Sequence, residues 1–432
     1  MKIFMRKVAL ALTVAFVVSL GLSSASLGAG KTLVFVAGPQ GNLLWEQLIP
    51  QWEKQTGNKI EFTDFPRKDF DALLKARIVA GRQIDLIMYD PQFHLDYYRR
   101  GIPEDITNAF SDPEYPNLSE NRFQEGALDF KRMAGKIYFV PINLMMTLYY
   151  YNKDMFEKYG IAIPNTYEEK TQVVTKLSDT DVIPEIYPGK GLWFNPIMLY
   201  HLLPMLTANN SDAFTKATAR GDIKWTSPFY KRGLEILKWQ MDSGILTREA
   251  LGMDYDTSAT IFLQGKVGML MQGTWMYGEQ FKPLPPGFNL GVFPIPAISP
   301  GFGQPCGCSD VNLSVYSGSK NKKEALSFID FSASKESAEL ASQNYISSIK
   351  GALPKDPVLT KVVQLYEGIP IAHLVDHLWE PEITEAFKVQ VQTLLLDRTT
   401  PEKVLEDVQE MHDNLVKEGK DLGETFGRTY SY

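Results

Sequence analysis

The chain contains 432 residues, of which 44% are hydrophobic and 22% are charged, as is usual for a folded globular protein. This length exceeds that at which a single hydrophobic core usually keeps growing, so two lobes are expected. The formal net charge of −7 argues against nucleic acid and against an anionic membrane surface as partners.

The first 25 residues have the pattern of a secretory signal peptide. Three basic residues precede an apolar run at 8–22, and small residues follow it. A run of 15 residues is short for a bilayer span, which leaves a membrane anchor as the alternative. We expect cleavage after Ala25, or as late as Ala29. No cysteine in this stretch could carry a lipid, so release into a periplasm is favoured.

The next hundred residues alternate between strand and helix patterns. The apolar run Thr32–Ala37 predicts a buried strand, 43–56 has helical spacing, and 59–64 alternates as a second strand. This rhythm predicts an α/β sheet, in which ligands bind beyond the carboxyl ends of the strands. The loops at 37–42 and 89–92 are therefore candidates for a binding site.

The chain is predicted to cross to a second lobe and to return. The first crossing follows a strand that ends at Pro141, and the return lies in the glycine- and proline-rich stretch 299–307. Between them, helices are predicted near 167–178 and 228–243. The predicted N-terminal lobe comprises 30–141 with 306–335, and the predicted C-terminal lobe comprises 142–305 with 336–432.

Two motifs resemble those of a known family. Residues 149–166 read as an apolar strand that turns at Asn152 into a short helix stopped by Gly160. Residues 265–269, with Gly273-x-Trp275 behind them, are similar to a second family element. Both resemble the extracellular solute-binding proteins of ABC importers, specifically the carbohydrate-binding branch that includes maltose-binding protein. The resemblance covers nearly all of the chain after the signal peptide.

This resemblance implies a fold and a function. The fold would be α/β, of the periplasmic-binding-protein type II, with two lobes, a hinge and a cleft between the lobes. A mono- or oligosaccharide held by both lobes would shift an open–closed equilibrium toward the closed form. The membrane subunits of an ABC permease would recognise that form. The resemblance implies a periplasmic monomer with no cofactor and no catalytic activity.

The resemblance also implies ligand contacts at the mouth of the cleft. A pyranose has a face of C–H groups that packs on an indole ring, while its hydroxyls hydrogen-bond to polar side chains. The contacts implied through polar groups, including the hydroxyl of one tyrosine, are Gln40, Asn42, Tyr89, Asp90, Asn143 and Asp310. The aromatic contacts implied are Trp193, Tyr200, Trp275 and Trp379.

Several of these residues also have a structural interpretation. Asp90 could cap the helix that follows it, and Asn143 could serve only the hinge. Trp193 and Tyr200 could be core residues of a helix-rich lobe. The segment at 306–308 reads Cys-Gly-Cys where relatives usually have Gly-Gly, which bears on the neighbouring Asp310.

Other sites and ligand classes are less well supported. Cys306 and Cys308 are better read as small buried side chains than as a strained disulfide, and two thiols cannot complete a structural zinc site. The pair His373 and His377 lacks a third metal ligand. A glycerol phosphodiester or another polar solute is an alternative ligand, although the candidate loops contain no basic residue. A secreted glycoside-active enzyme with two carboxylates is a distant alternative.

Overall fold

The chain folds around two β-sheets, each flanked by helices. The computed structural model describes residues 30–38, 42–89, 91–128, 132–207, 210–298, 306–309, 311–367, 372–374 and 379–420. Within these ranges, no helix combines the length and apolarity needed to cross a membrane. The predicted signal peptide and most of the predicted return crossing lie outside the described residues.

Strands and helices alternate along most of the chain. The strands are β1 (Thr32–Ala37), β2 (Lys59–Asp64), β3 (Leu86–Met88), β4 (Arg132–Met133), β5 (Lys136–Ile137), β6 (Val140–Pro141), β7 (Asn143–Asn152), β8 (Ile183–Ile186), β9 (Val267–Gly273), β10 (Leu290–Phe293), β11 (Cys306–Cys308), β12 (Asn312–Val315), β13 (Ile346–Ser347) and β14 (Ala372–His373). The helices are α1 (Asn42–Thr56), α2 (Phe70–Val79), α3 (His94–Arg99), α4 (Lys153–Lys158), α5 (Tyr167–Ser178), α6 (Phe194–Tyr200), α7 (Leu202–Leu206), α8 (Ser211–Ala219), α9 (Pro228–Asp242), α10 (Tyr255–Leu263), α11 (Thr274–Gln280), α12 (Lys322–Ser332), α13 (Lys335–Ala341), α14 (Pro357–Leu365), α15 (Pro381–Leu395) and α16 (Pro401–Lys417).

The first sheet, which we assign to the N-terminal lobe, has the strand order β2-β1-β3-β12-β6. Strand β1 is parallel to β2 and β3, whereas β12 is antiparallel to both of its neighbours. The predicted strand–helix–strand rhythm is therefore confirmed. Phe35 of β1 packs against Trp45 of α1 and against Phe328 of α12, so a late helix completes the early core.

The second sheet, which we assign to the C-terminal lobe, has the order β14-β11-β7-β9-β8, and β10 and β13 also pair with β7. Strand β7 begins at Asn143, six residues earlier than the predicted strand at Tyr149, because residues 143–150 are all buried. Strand β11 pairs with β7 and so belongs to this sheet, whereas β12 lies in the first sheet. Helix α15 packs against α6, α9 and α16.

Local signals define the predicted strand–turn–helix motif. The Asn152 side chain accepts a hydrogen bond of 3.1 Å from the backbone N–H of Met155, which caps α4. Gly160 has a φ of 58°, a left-handed conformation that glycine adopts without a steric cost. The predicted turn at Asn152 and the predicted stop at Gly160 are both confirmed.

Candidate functional site

Polar side chains lie together at the carboxyl ends of β1 and β2. Asn42 begins α1, just after β1, and its Nδ2 donates to Asp64 Oδ2 at 2.8 Å. Asp64 is the last residue of β2, and Arg67 lies three residues beyond it; both are exposed. The Oδ1 atom of Asn42 accepts no hydrogen bond from the described residues. This edge therefore presents an exposed carboxylate and an exposed guanidinium, beside the amide of Asn42.

The C-terminal lobe presents three aromatic rings. The ring centroids of Trp193 and Trp275 are 6.4 Å apart, and those of Trp193 and Tyr255 are 6.0 Å apart. Trp193 is 36% exposed, whereas Trp275 is 7% exposed. We refer to Trp193, Tyr255 and Trp275 as the aromatic cluster. Its most accessible ring is an indole, the side chain best suited to stack on the C–H face of a sugar.

The position of Trp275 depends on two preceding residues. Its Nε1 donates to Oε1 of the fully buried Gln272 at 2.9 Å. The indole also lies over Gly273, where a Cβ atom would come within 2.0 Å of the ring. The glycine of the Gly273-x-Trp275 motif is therefore needed for close approach of the ring and not for an unusual backbone angle.

Tyr255 connects the aromatic cluster to charged groups. Its hydroxyl donates to Glu279 Oε2 at 3.1 Å. Burial and the Glu279 carboxylate raise the pKa of Tyr255, while the positive charge of Arg67 acts in the opposite direction. This electrostatic effect links Arg67, which follows a strand of the first sheet, to Tyr255 of the C-terminal lobe. We refer to Asn42, Asp64, Arg67, Glu279 and the aromatic cluster as the candidate cleft.

Sequence reasoning found only part of the candidate cleft. It named Asn42, Trp193 and Trp275, but it missed Asp64, Arg67, Tyr255 and Glu279. A usable signal existed for Asp64, because β2 is parallel to β1 and its carboxyl end lies at the same sheet edge. Tyr255 and Glu279 have no comparable local signal, since they join the site only through packing.

Besides Trp275, three of the predicted contact residues with aromatic rings are buried in this structure: Tyr89, Tyr200 and Trp379. Tyr89, 1% exposed, packs against Tyr97 with a centroid distance of 4.6 Å. Tyr200 is fully buried, and Trp379, 2% exposed, packs against it at 5.6 Å. Trp379 also packs against Trp225 at 4.7 Å. The structure therefore does not bring these rings into the candidate cleft, and their contact with a ligand stays a prediction.

Asn143 lies at the junction of the two lobes. Its side chain is fully buried, and Oδ1 accepts hydrogen bonds from the backbone N–H of Val311 at 3.0 Å and from Ser309 Oγ at 3.1 Å. It thereby links the start of β7 to the segment between β11 and β12. Its Nδ2 is buried and has no partner among the described residues, and its contact with a ligand stays a prediction.

Other predicted positions lie outside the described residues. These are Gln40, Asp90, Asp310, His377 and the side chains of Cys306, Cys308 and His373. In the part of the chain that the structure describes, no group of three or more His, Cys, Asp or Glu side chains could hold a metal ion.

Two cavities lie on the C-terminal lobe apart from the candidate cleft. One has a volume of about 440 Å³ and is lined by apolar side chains that include Phe214 and Phe229. The other, of about 300 Å³, is lined by residues that include Tyr167 and Trp239. Neither lining includes a residue of the candidate cleft, and both face the surface between helices.

Two α/β lobes, one with polar groups at a sheet edge and the other with an aromatic cluster, define the architecture of a two-lobed binding protein. The sequence profile described as bacterial extracellular solute-binding protein matches residues 38–339. The chain belongs to this family.

Individual relatives agree with this assignment. A multiple sugar-binding protein of Streptococcus mutans is 25% identical over 294 residues, which is 66% of this chain and 67% of the relative. The melibiose/raffinose/stachyose-binding protein MelE of Bacillus subtilis is 21% identical over 389 residues, 88% of each chain. The solved structure of RafE in complex with raffinose has a TM-score of 0.70 and 20% identity, and the match covers 89% of this chain and 99% of that chain. The structural similarity supports the two-lobed fold.

Proposed function

We propose that this protein captures a mono- or oligosaccharide between its two lobes and delivers it to an ABC permease. The observation that carries the proposal is the aromatic cluster, whose Trp193 ring is 36% exposed. Two of the relatives named above are sugar-binding proteins, and a third was solved with raffinose bound.

The geometry suggests how a sugar would be held. A pyranose ring would place its C–H face on Trp193, while its hydroxyls donate to the Asp64 and Glu279 carboxylates and accept from Arg67. These groups come from both lobes, so all of the contacts exist together only when the lobes are closed. A ligand that fits both lobes therefore shifts the population toward the closed form, in proportion to its difference in affinity for the two forms.

An anionic solute, such as a glycerol phosphodiester, is the second candidate. Arg67 favours this solute, because a guanidinium binds phosphate well. The loops that the sequence predicted as binding loops contain no basic residue, so this cation is an addition to the predicted site. However, the carboxylates of Asp64 and Glu279 lie at the same site and would repel a phosphate. This balance favours a neutral sugar.

The cellular setting forms part of the proposal. We propose that residues 1–25 direct export and are removed, and that the mature protein acts in the periplasm as a monomer with no catalytic activity of its own. We also propose that the boundary between the lobes falls between β11 and β12, because these strands belong to different sheets.

A thermal-shift screen tests this proposal. Raffinose, stachyose, maltotriose and a glycerol phosphodiester are compared at equal concentrations, since a ligand that binds only the native state raises the melting temperature. We expect a neutral sugar to give the largest shift, and chromatography to recover that sugar unchanged. A shift with the phosphodiester alone, or turnover of a sugar by the pure protein, would contradict the proposal.

A further inference from the structure

A bidentate ion pair joins the two lobes through residues that are not part of the candidate cleft. Arg99 is the last residue of α3 in the N-terminal lobe, and Glu380 directly precedes α15 in the C-terminal lobe. The Nη2 atom of Arg99 lies 2.6 Å from Oε1 of Glu380, and Nη1 donates to Oε2. Two parallel hydrogen bonds of this kind fix orientation as well as distance.

Both partners stand on well-packed segments. On the N-terminal side, Tyr97 packs against Tyr89 and donates to Asp71 at 2.9 Å, which holds α3 in place. On the C-terminal side, Trp379 precedes Glu380 and packs against Phe387 at 5.2 Å. Because each partner is held by its own lobe, a movement of one lobe relative to the other would separate Arg99 from Glu380.

The pair is also partly removed from water. The side chain of Glu380 is 4% exposed and that of Arg99 is 30% exposed. Separation of the lobes at this point would leave the Glu380 carboxylate without its cation until water reached it. Removing one partner of such a pair costs much more than removing an exposed pair, because the remaining charge is poorly solvated.

We propose that the Arg99–Glu380 ion pair holds the lobes together in the empty protein and so sets the open–closed equilibrium before any solute binds. Neither residue belongs to the candidate cleft. The pair thus adjusts solute affinity through the open–closed equilibrium, because the apparent affinity depends on the fraction of protein in the closed form. This inference does not depend on which solute is bound.

The test measures distances between the lobes in the empty protein. Nitroxide labels are attached through a non-natural amino acid at Glu46 in α1 and at Glu406 in α16, both exposed, so the native cysteines are untouched. Electron–electron resonance then gives the distance distribution. We expect Arg99→Ala and Glu380→Gln each to raise the ratio of open to closed protein about tenfold.

Matched variants sharpen the result. Arg100→Ala removes the neighbouring guanidinium, which pairs with Asp96 within α3 at 2.8 Å, and should leave the distances unchanged. The exchange of Arg99→Glu with Glu380→Arg should restore short distances. Folded Arg99→Ala and Glu380→Gln variants with wild-type distances would overturn the proposal.

A second measurement applies if these variants do not fold. The distances are then recorded for Arg99→Lys, which keeps the positive charge but cannot form the two parallel hydrogen bonds to Glu380. Longer distances in Arg99→Lys than in the wild-type protein would support the proposal, and unchanged distances would overturn it. No sugar is present in either experiment, so a wrong ligand class cannot produce the outcome.

Discussion

Trp193 and Trp275 carry different parts of the candidate cleft. Trp193 is 36% exposed and can offer a ring face to a solute, whereas Trp275 is 7% exposed and is fixed by Gln272 and Gly273. One indole therefore serves as the accessible surface, and the other supports it at a centroid distance of 6.4 Å. The distinction leads to separate predictions for the two rings.

Trp193→Ala should weaken binding of the sugar selected by the thermal-shift screen by about 1–3 kcal/mol, because the stacking surface is lost. Titration calorimetry measures the change. The melting temperature of the empty protein should stay near the wild-type value, since the ring is partly exposed. Trp239→Ala is the matched control, because Trp239 is 43% exposed but lies on α9, outside the candidate cleft. Equal losses of affinity in both variants would contradict the assignment of Trp193.

Gly273→Ala should weaken the same binding without removing any aromatic group. The added Cβ would lie 2.0 Å from the Trp275 ring, so the indole must move. We expect a shifted tryptophan emission spectrum and a loss of sugar affinity of at least about 1 kcal/mol. Gly252→Ala serves as the control, because a Cβ atom there has no neighbour within 4 Å. Wild-type affinity and emission in Gly273→Ala would show that Trp275 does not support the cleft.

At the scale of elements, a buried polar network ties α5 to the second sheet. Lys170 of α5 is fully buried, and its Nζ lies 2.8 Å from Glu185 Oε2 of β8. The same nitrogen donates to the Tyr149 hydroxyl of β7 at 2.7 Å and to Gln240 Oε1 of α9 at 3.2 Å. One ammonium group thus joins two strands and two helices.

Lys170→Met should destabilise the protein by about 3–5 kcal/mol, because Glu185 would be left as an uncompensated buried charge. Denaturant unfolding gives the free energy. Lys176→Met is the control on the same helix, where the exposed Lys176 donates to the Gly160 carbonyl, and a much smaller loss is expected there. A loss below about 1 kcal/mol in Lys170→Met would mean that the network adds little to stability.

His201 lies beside this network and predicts a pH dependence. Burial, aided by the positive charge of Lys170, lowers the pKa of His201 to about 3, from 6.5 when the chain is unfolded. The unfolded chain therefore binds one more proton between pH 6.5 and pH 3, and stability is lost as the pH falls through that range. The slope from this residue is up to about 1.4 kcal/mol per pH unit. His201→Gln should flatten the measured curve of unfolding free energy against pH, and an unchanged slope would contradict the shift.

Local chemistry explains which elements could be predicted. The predicted helix at 167–178 matches α5, because Thr166 caps its first turn and its apolar residues recur at helical spacing. The end of the short helix at Gly160 was predicted from an equally local signal. The roles of Tyr89 and Trp379 were harder to predict, because an aromatic residue can either fill a core or line a cleft. Neighbours that lie far away in the sequence decide between the two. Asp64 could have been found from the parallel pairing of β2 with β1, whereas Arg67 lies in the segment beyond the strand and has no marker of its own.

In the molecule as a whole, the two lobes contribute different groups to the candidate cleft. The N-terminal lobe supplies hydrogen-bonding groups at the ends of β1 and β2, and the C-terminal lobe supplies the aromatic cluster. Segments near Asn143 join the lobes, and the Arg99–Glu380 ion pair links them at a second place. In this arrangement neither lobe alone holds a solute well, which is the central claim of the proposed function.

A crystal structure with the sugar that gives the largest thermal shift tests this claim most directly. We expect a pyranose ring stacked on Trp193, with hydroxyls within hydrogen-bonding distance of at least one of Asn42, Asp64 and Arg67 from the other lobe. Both lobes would then contact the same molecule. Electron density for the sugar in a cavity of one lobe, such as that beside Trp239, with no contact from the N-terminal lobe, would contradict binding by both lobes.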